Sequence, residues 1–399
     1  MSQGTLRDIR VVELASFIAG PYCAQLFADL GAEVIKLELP DGGDPMRQWG
    51  KRPEDGHSVW WSVIGRNKKS ITLDVRTPDG QRIARQLVAK ADVFVENFRP
   101  GTVEGWGLGY EQLKPINPGL IMVRISGFGQ TGPYSDRAAF GSVAEAMAGL
   151  RYLSGDPDRP PVRVGISIGD TLAGLFGAVG ALAALRRRDA DGGTGQCIDV
   201  AITDSILAVL ESVIAEYARF GVARERSGAI LPRVAPSNVY PTRDGHWVAI
   251  GANADTIFRR LCQAMGQPGL PEEPRFATHQ ARGANQSDLD RIIGEWTGKH
   301  DRADLLALLD AAAVPAGPIN SAREIVSDPQ FLAREMIVKV ADGVLGEVTM
   351  QGAVPKFSET PAGVRWAGPR LGEHNHEVYS GLLGMTPEEL EQLRQKRII

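Results

Sequence analysis

Cysteine, histidine and an excess of charge of either sign are all scarce in this chain. Its 399 residues hold 3 cysteines, Cys23, Cys197 and Cys262, with no CxxC spacing. An odd, unclustered set argues against a disulfide framework or a zinc knuckle and favours a reducing compartment. The 6 histidines include the neighbours His374 and His376, but no carboxylate or cysteine joins them at ligand spacing, so no metal site is expected. A GxSxG elbow is also absent, which leaves a Ser-His-Asp hydrolase without support. Lys plus Arg number 44 against 48 Asp plus Glu, a net charge of −4. That balance provides no bulk attraction to nucleic acid or acidic membranes, so an anionic ligand must meet a local basic cluster. The longest apolar run starts at Thr171 and stops at Arg186-Arg187-Arg188, short of the ~20 residues of a membrane span. The polar start, Met1 to Asp8, has no signal-peptide stretch, and a cytoplasmic location is expected.

What is present is an ordinary globular composition, 43% hydrophobic and 23% charged. The length favours two domains or one elaborated domain. Strand-like runs at Ile9–Ala15, Glu33–Leu39, Ser70–Val75, Val93–Glu96, Leu120–Ser126 and Gln196–Ala201 are separated by helical stretches such as Pro21–Leu30 and Asp79–Ala89. This alternation predicts an α/β fold with right-handed crossovers, a mostly parallel sheet and ligands at the carboxyl ends of its strands. A long helix is expected from about Thr203 to Phe220. Beyond Arg224 the composition shifts. A strand Trp247–Ile250 and helices at Asp255–Met265, Ser287–Trp296 and Arg302–Ala313 read as a second, smaller α+β domain. Ile337–Val348 reads as a hairpin turning at Asp342-Gly343, and Thr386-Pro387-Glu388-Glu389 as the capping box of a last helix. The layout expected is a large domain over 1–224, completed by about 350–399, a small domain over 225–335, and a return segment over 336–399.

Three features carry chemistry. Gly127-Phe128-Gly129-Gln130-Thr131-Gly132 matches GxGxxG after a strand, but Pro133, Tyr134 and Ser135 predict a turn where a dinucleotide site needs a helix. Gly169-Asp170 opens a helix rich in glycine. By residue type Asp170 reads first as an N-cap, and compatibly with that as an ionised carboxylate placed for nucleophilic attack, with Gly169 letting a ligand approach the backbone. Gly174, Gly177 and Gly180 imply that another helix or chain packs close. Arg76, Arg99 and Arg137 stand beside turns, and Arg99, just past a strand's carboxyl end, is the best phosphate candidate.

Taken in order, Ala19-Gly20-Pro21, Leu30 to Lys36, Gly43-Asp44, Asn67 to Ser70, Glu96-Asn97-Phe98-Arg99-Pro100-Gly101, Ser126 to Gly129, Gly169-Asp170, Pro315 to Pro318 and Leu371 to His374 resemble the class III CoA-transferases over nearly the whole chain. The resemblance implies a Rossmann-like large domain and an interlocked homodimer. It assigns Asp170 the role of nucleophile, forming first an acyl anhydride and then an aspartyl-CoA thioester. Phe17, Ile18, Ala19, Leu73, Arg76, Asn97, Phe98 and Arg99 would bind CoA, with Arg137 toward its nucleotide end. Arg47 and Trp49 are candidates for the acceptor acid, with Phe140 and Gly169 beside the nucleophile. Coenzyme A enters as a substrate, and no tightly bound cofactor is implied. Related 2-methylacyl-CoA racemases carry a histidine where Phe140 stands, so proton transfer at an α-carbon is disfavoured. Formyl-CoA transferases carry Gln at Ile18 and an acid at Gly141, and their small-domain loop is glycine-only where this chain has Gly251-Ala252-Asn253-Ala254, which argues against oxalate. The segments Arg66-Asn67-Lys68-Lys69-Ser70 and Gly317-Pro318-Ile319-Asn320 are most similar to members using succinyl-CoA and dicarboxylic acids. A racemase, or an acyl-CoA-binding homologue without turnover, are the alternatives.

Overall fold

Six β-strands of the chain assemble into one parallel sheet. In the computed structural model, which describes residues 4–50 and 57–399, they are β1 (Arg10–Leu14), β2 (Glu33–Glu38), β3 (Lys68–Thr72), β4 (Val93–Glu96), β5 (Ile121–Ser126) and β6 (Cys197–Ala201). Residues 1–3 of the polar start lie outside the described residues. The strand order is β3-β2-β1-β4-β5-β6, with every neighbouring pair parallel. This is the doubly wound Rossmann order, whose switch point lies between β1 and β4. Both faces are covered, so the strands are buried on both sides, and they carry buried charges such as Glu13, Lys36 and Glu96 beside their apolar residues. One face packs Val12, Leu14, Ile35 and Phe94 against the helix Pro78–Val88 and the C-terminal Tyr379, Leu390 and Leu393. The other receives the helices Ala19–Asp29 and Ile168–Ala190.

The glycines of the helix Ile168–Ala190 meet their neighbours within the same chain. A β-carbon on Gly174 would lie 2.7 Å from the Ala19 carbonyl, and one on Gly177 within 3.3 Å of Cys23 and Val123. At Gly174 the backbone of the neighbouring helix approaches too closely for a side chain, while at Gly177 the space is taken by the side chains of Cys23, Val123 and Ile125. The helix runs 23 residues, longer than the apolar run suggests, because it begins at Ile168 and continues through Arg186-Arg187-Arg188. By length and composition alone it could cross a membrane. The expected helix from Thr203 to Phe220 is broken into Ile202–Leu207 and Val213–Phe220. Between them Leu210 is buried next to Gly149, and Glu211 takes a left-handed φ of 51°. No glycine or proline marks the break.

The chain divides into two compact units. One comprises the described residues of Met1–Leu150 with Val164–Ala215 and Pro329–Ile399; the other comprises Arg151–Arg163 and Glu216–Asp328. The second unit holds an antiparallel sheet of β7 (Ser237–Pro241), β8 (Trp247–Gly251) and β9 (Ala316–Pro318). Its core joins Tyr240, Val248 and Ile250 to Phe258, Leu261, Ile293 and Leu305. In the first unit β10 (Ile337–Asp342) and β11 (Gly346–Gln351) form the expected hairpin. The last helix, Pro387–Gln395, starts with the Thr386–Glu389 capping box.

Candidate active site

At the switch point, the turns after β1, β4 and β5 surround a cavity of about 300 Å³. Ser16, Phe17, Ile18 and Ala19 line it from β1, Asn97, Phe98 and Arg99 from β4, and Ser126 and Gly127 from β5. Asp170 enters from the helix Ile168–Ala190 and is the sole acid lining the cavity among the described residues. It is not the N-cap. Ser167 occupies that position, and Asp170 is the third helical residue, half-buried in the first turn. A carboxylate there is favoured in its ionised form by the helix dipole. Gly169, buried, donates its amide to Glu145 at 3.4 Å.

Gly141 makes room for the nucleophile. A β-carbon at this position would overlap Asp170 Oδ2 and come within 2.7 Å of its Cγ. Phe140, just before it, is 69% exposed, and its ring lies 5.9 Å from that of Phe17. Phe17 in turn is 5.6 Å from Trp49, which is 5.9 Å from Trp60. An aromatic row thus runs up to the Asp170 cavity, with no histidine lining that cavity among the described residues.

A second cavity, about 270 Å³, is lined by Leu73, Val75, Arg76, Asp44 and Trp106, and it shares Ser16 and Phe98 with the first. All the expected CoA-binding residues except Arg137 therefore line one or other of two adjoining cavities. Arg99 is exposed and has no side-chain ion pair among the described residues. Arg76 is exposed and pairs with Asp74 at 2.8 Å, an interaction that holds the Asp74 carboxyl below its usual range. Arg137 instead stacks on Tyr134, 3.8 Å from the ring centre, and lines neither cavity.

Arg47 is also not free for an acceptor acid. Its guanidinium makes two 2.8 Å bonds to Glu38, donates to the Pro369 carbonyl at 3.1 Å and lies 3.7 Å from the Trp61 ring centre. A fork so engaged is structural. Residue type could not reveal this, because Glu38 and Pro369 come from distant segments. The sequence marks Ser126 only as part of a family segment and Trp106 not at all, yet Ser126 is a buried hydroxyl without a hydrogen-bond partner among the described residues, and both line the cavities. Residue type alone assigns neither of them a role at the site. A third cavity, about 480 Å³, lies across Ile18 from the first and is lined by Tyr22, Met46, Trp60, Ile64, Ile166 and Thr171.

Comparison with known proteins agrees with this architecture. The family model of CoA-transferase family III matches residues 6–375. The chain is 57% identical over 394 residues to a succinyl-CoA–D-citramalate CoA-transferase of Chloroflexus aurantiacus, covering 99% of this chain and 98% of that protein. It is 42% identical to the β subunit of a succinyl-CoA–L-malate CoA-transferase of the same organism, over 99% of this chain and 98% of the relative. Among solved structures, a CaiB/BaiF family protein from Brucella suis superposes with a TM-score of 0.85 at 38% identity, covering 96% of this chain and 100% of that one. The parallel sheet, the switch-point cavity and these matches agree: the chain belongs to CoA-transferase family III and is a CoA-transferase.

Proposed function

We propose that Asp170 is the nucleophile, and that the chain moves CoA from succinyl-CoA to a small dicarboxylic acid of the citramalate or malate type. The observation that carries the first part is the half-buried Asp170 carboxylate, the one acid among the described residues of a cavity walled by Phe17, Asn97 and Arg99. Its oxygen attacks the thioester carbonyl carbon, the C–S bond breaks, and the CoA thiolate leaves an aspartyl–acyl anhydride. The thiolate then attacks the aspartyl carbonyl, releasing the donor acid and leaving an aspartyl-CoA thioester. The acceptor carboxylate repeats the two steps in reverse. No proton changes hands overall, which suits a cavity without histidine. Partial burial strengthens the local electrostatics on which such attack depends.

In this reading the CoA chain occupies the two adjoining cavities, with Arg99 and Arg76 toward its phosphates. The largely apolar cavity across Ile18 receives the carbon skeleton of the acyl group. The substrate pair follows the names of the relatives at 57% and 42% identity. A homodimer in the cytoplasm belongs to the same proposal, supported by the apolar surface on the helix behind Asp170.

Incubating the enzyme with succinyl-CoA and hydroxylamine is expected to convert Asp170 to its hydroxamate, read by peptide mass spectrometry. Asp170→Ala is expected to lose transfer by about 10³-fold or more. Undiminished transfer by that variant would overturn the assignment.

A further inference from the structure

The turn after β1 is held by buried and half-buried side chains that take no part in the attack by Asp170. Asn97 clasps Ser16, its Oδ1 accepting from the Ser16 amide at 2.9 Å and its Nδ2 donating to the Ser16 carbonyl at 2.8 Å. Asp44 holds the next residue, its Oδ1 accepting from the Phe17 amide at 3.2 Å and from the Met46 amide at 2.9 Å. Phe17 has a φ of 66°, a left-handed conformation that residues with bulky side chains seldom adopt. The other Asp44 oxygen lies 2.8 Å from Lys36 Nζ. That ammonium also donates to the Ala15 carbonyl at 2.7 Å and to Glu13 at 2.6 Å. Burial alone would lower the Lys36 pKa, but Asp44, Glu13 and Glu38 outweigh it and raise it, so the charge persists.

Glu13, Lys36 and Asp44 are almost wholly out of water. A buried ion cluster adds little net stability compared with apolar packing, though losing one partner is costly. Its place in the fold suggests what it does here. It fixes the Ala15 carbonyl and the Phe17 amide, while Asn97 fixes both polar groups of Ser16 between them. The result sets the Phe17 ring between Trp49 and Phe140 and brings Ile18 into the wall facing Asp170.

We propose that Asp44, anchored by Lys36, is a positioning residue that holds the left-handed Phe17 turn against Asp170 and so sets the placement of the thioester on the nucleophile. The proposal rests on Asp170 being that nucleophile. Asp44 acts through the Phe17 amide, not on the reacting atoms.

A double-mutant cycle in kcat tests it. Glycine adopts a positive φ without help, so Phe17→Gly removes the need for an anchor while Phe17→Ala keeps it. Asp44→Asn retains size and an acceptor oxygen but gives up the charge that ties it to Lys36. In the wild-type and Phe17→Ala backgrounds it is expected to lower kcat by roughly 10- to 100-fold, with KM for succinyl-CoA moving much less. In the Phe17→Gly background the loss is expected to shrink by about fivefold or more. Asp29→Asn, which breaks the equally buried pair with Arg66 outside the described cavities, is expected to lower stability but leave kcat per folded enzyme unchanged. An Asp44→Asn enzyme matching that control, or an equal loss in the glycine and alanine backgrounds, overturns the proposal. Should the Asn variant not fold, Asp44→Glu keeps the charge while displacing the acceptor, and the same cycle decides. Hydroxylamine trapping runs in parallel. A wild type without hydroxamate sinks the nucleophile itself, whereas hydroxamate with an additive cycle sinks only the role of Asp44.

Discussion

Asp170 and Gly141 form a pair in which one residue acts and the other stays out of the way. The backbone of Gly141 carries no positive φ, so its glycine answers to space rather than to conformation. Gly141→Ala would push a methyl group into the Asp170 carboxylate and displace it by an ångström or so. Such a misplacement of a reacting group costs about 10- to 100-fold in rate. The expected outcome is therefore a large fall in kcat with a melting temperature close to wild type, measured by steady-state transfer and by thermal unfolding. Equal kcat in the variant would show that the carboxylate can move aside freely. At this scale the sequence was legible where function depends on backbone position. Asn97-Phe98-Arg99 follow a strand end and Asp170 stands in the first turn of a helix, and element ends are visible in the hydrophobic pattern. It was illegible where a charge is absorbed by a tertiary partner: Arg47 reads like any basic residue until Glu38 and the Trp61 ring are beside it. Lys36 and Asp44 are hidden for the same reason.

Strand ends do more than present residues, and β4 shows how. Its last residue, Glu96, accepts from the Phe98 amide at 2.7 Å and from Arg124 on β5 at 2.8 Å, so it ties the two strand ends that open into the site. Burial pushes the Glu96 carboxyl up to about 7, with Arg124 and the Phe98 amide pulling the other way. An acid whose folded pKa is raised binds its proton more tightly in the native state. Its contribution to stability is complete below the unfolded value near 4.5 and is lost as pH rises toward 7. The expected loss between pH 4.5 and 7.5 is of the order of 2–3 kcal/mol. Glu96→Gln is expected to flatten that slope in denaturant titrations at several pH values; an unchanged slope would assign the dependence to other groups. Elements of this kind were readable because parallel strands buried on both faces are mostly apolar runs with turn residues between them, whereas β3 opens on Lys68-Lys69 and begins two residues before the expected Ser70. The break at residues 208–212 was not, since Ala208 to Ser212 contain no glycine or proline and only the burial of Leu210 dictates the turn.

Over the whole molecule, the surface of the first unit is the feature its own fold leaves unexplained. Val143, Met147, Leu175, Phe176, Val179 and Leu207 are each 39–55% exposed, and they come from helices that pack around Asp170. A soluble monomer seldom carries so many large apolar side chains together; such surfaces mark interfaces. The helix Ile168–Ala190 is long and apolar enough for a membrane, so bilayer and second copy compete as partners for this face. Its buried side argues for the copy: Gly174 and Gly177 are packed into the unit's own helix and sheet, leaving only one stripe to cover, whereas a spanning helix presents apolar surface to lipid along its whole length. A stable homodimer needs roughly 1,000 Å² or more of total buried surface, which an apolar stripe of this length can supply together with its neighbours. Sedimentation equilibrium at micromolar concentration without detergent is expected to give twice the 43.0 kDa chain mass. Leu175→Asp combined with Val179→Asp, one and two turns beyond the cavity-lining Thr171 and on the exposed side of the helix, is expected to shift the protein toward monomer or aggregate. A detergent-free, monodisperse monomer in the wild type, or recovery of the protein with phospholipid vesicles instead of in solution, would refute the second copy as the occupant of this face.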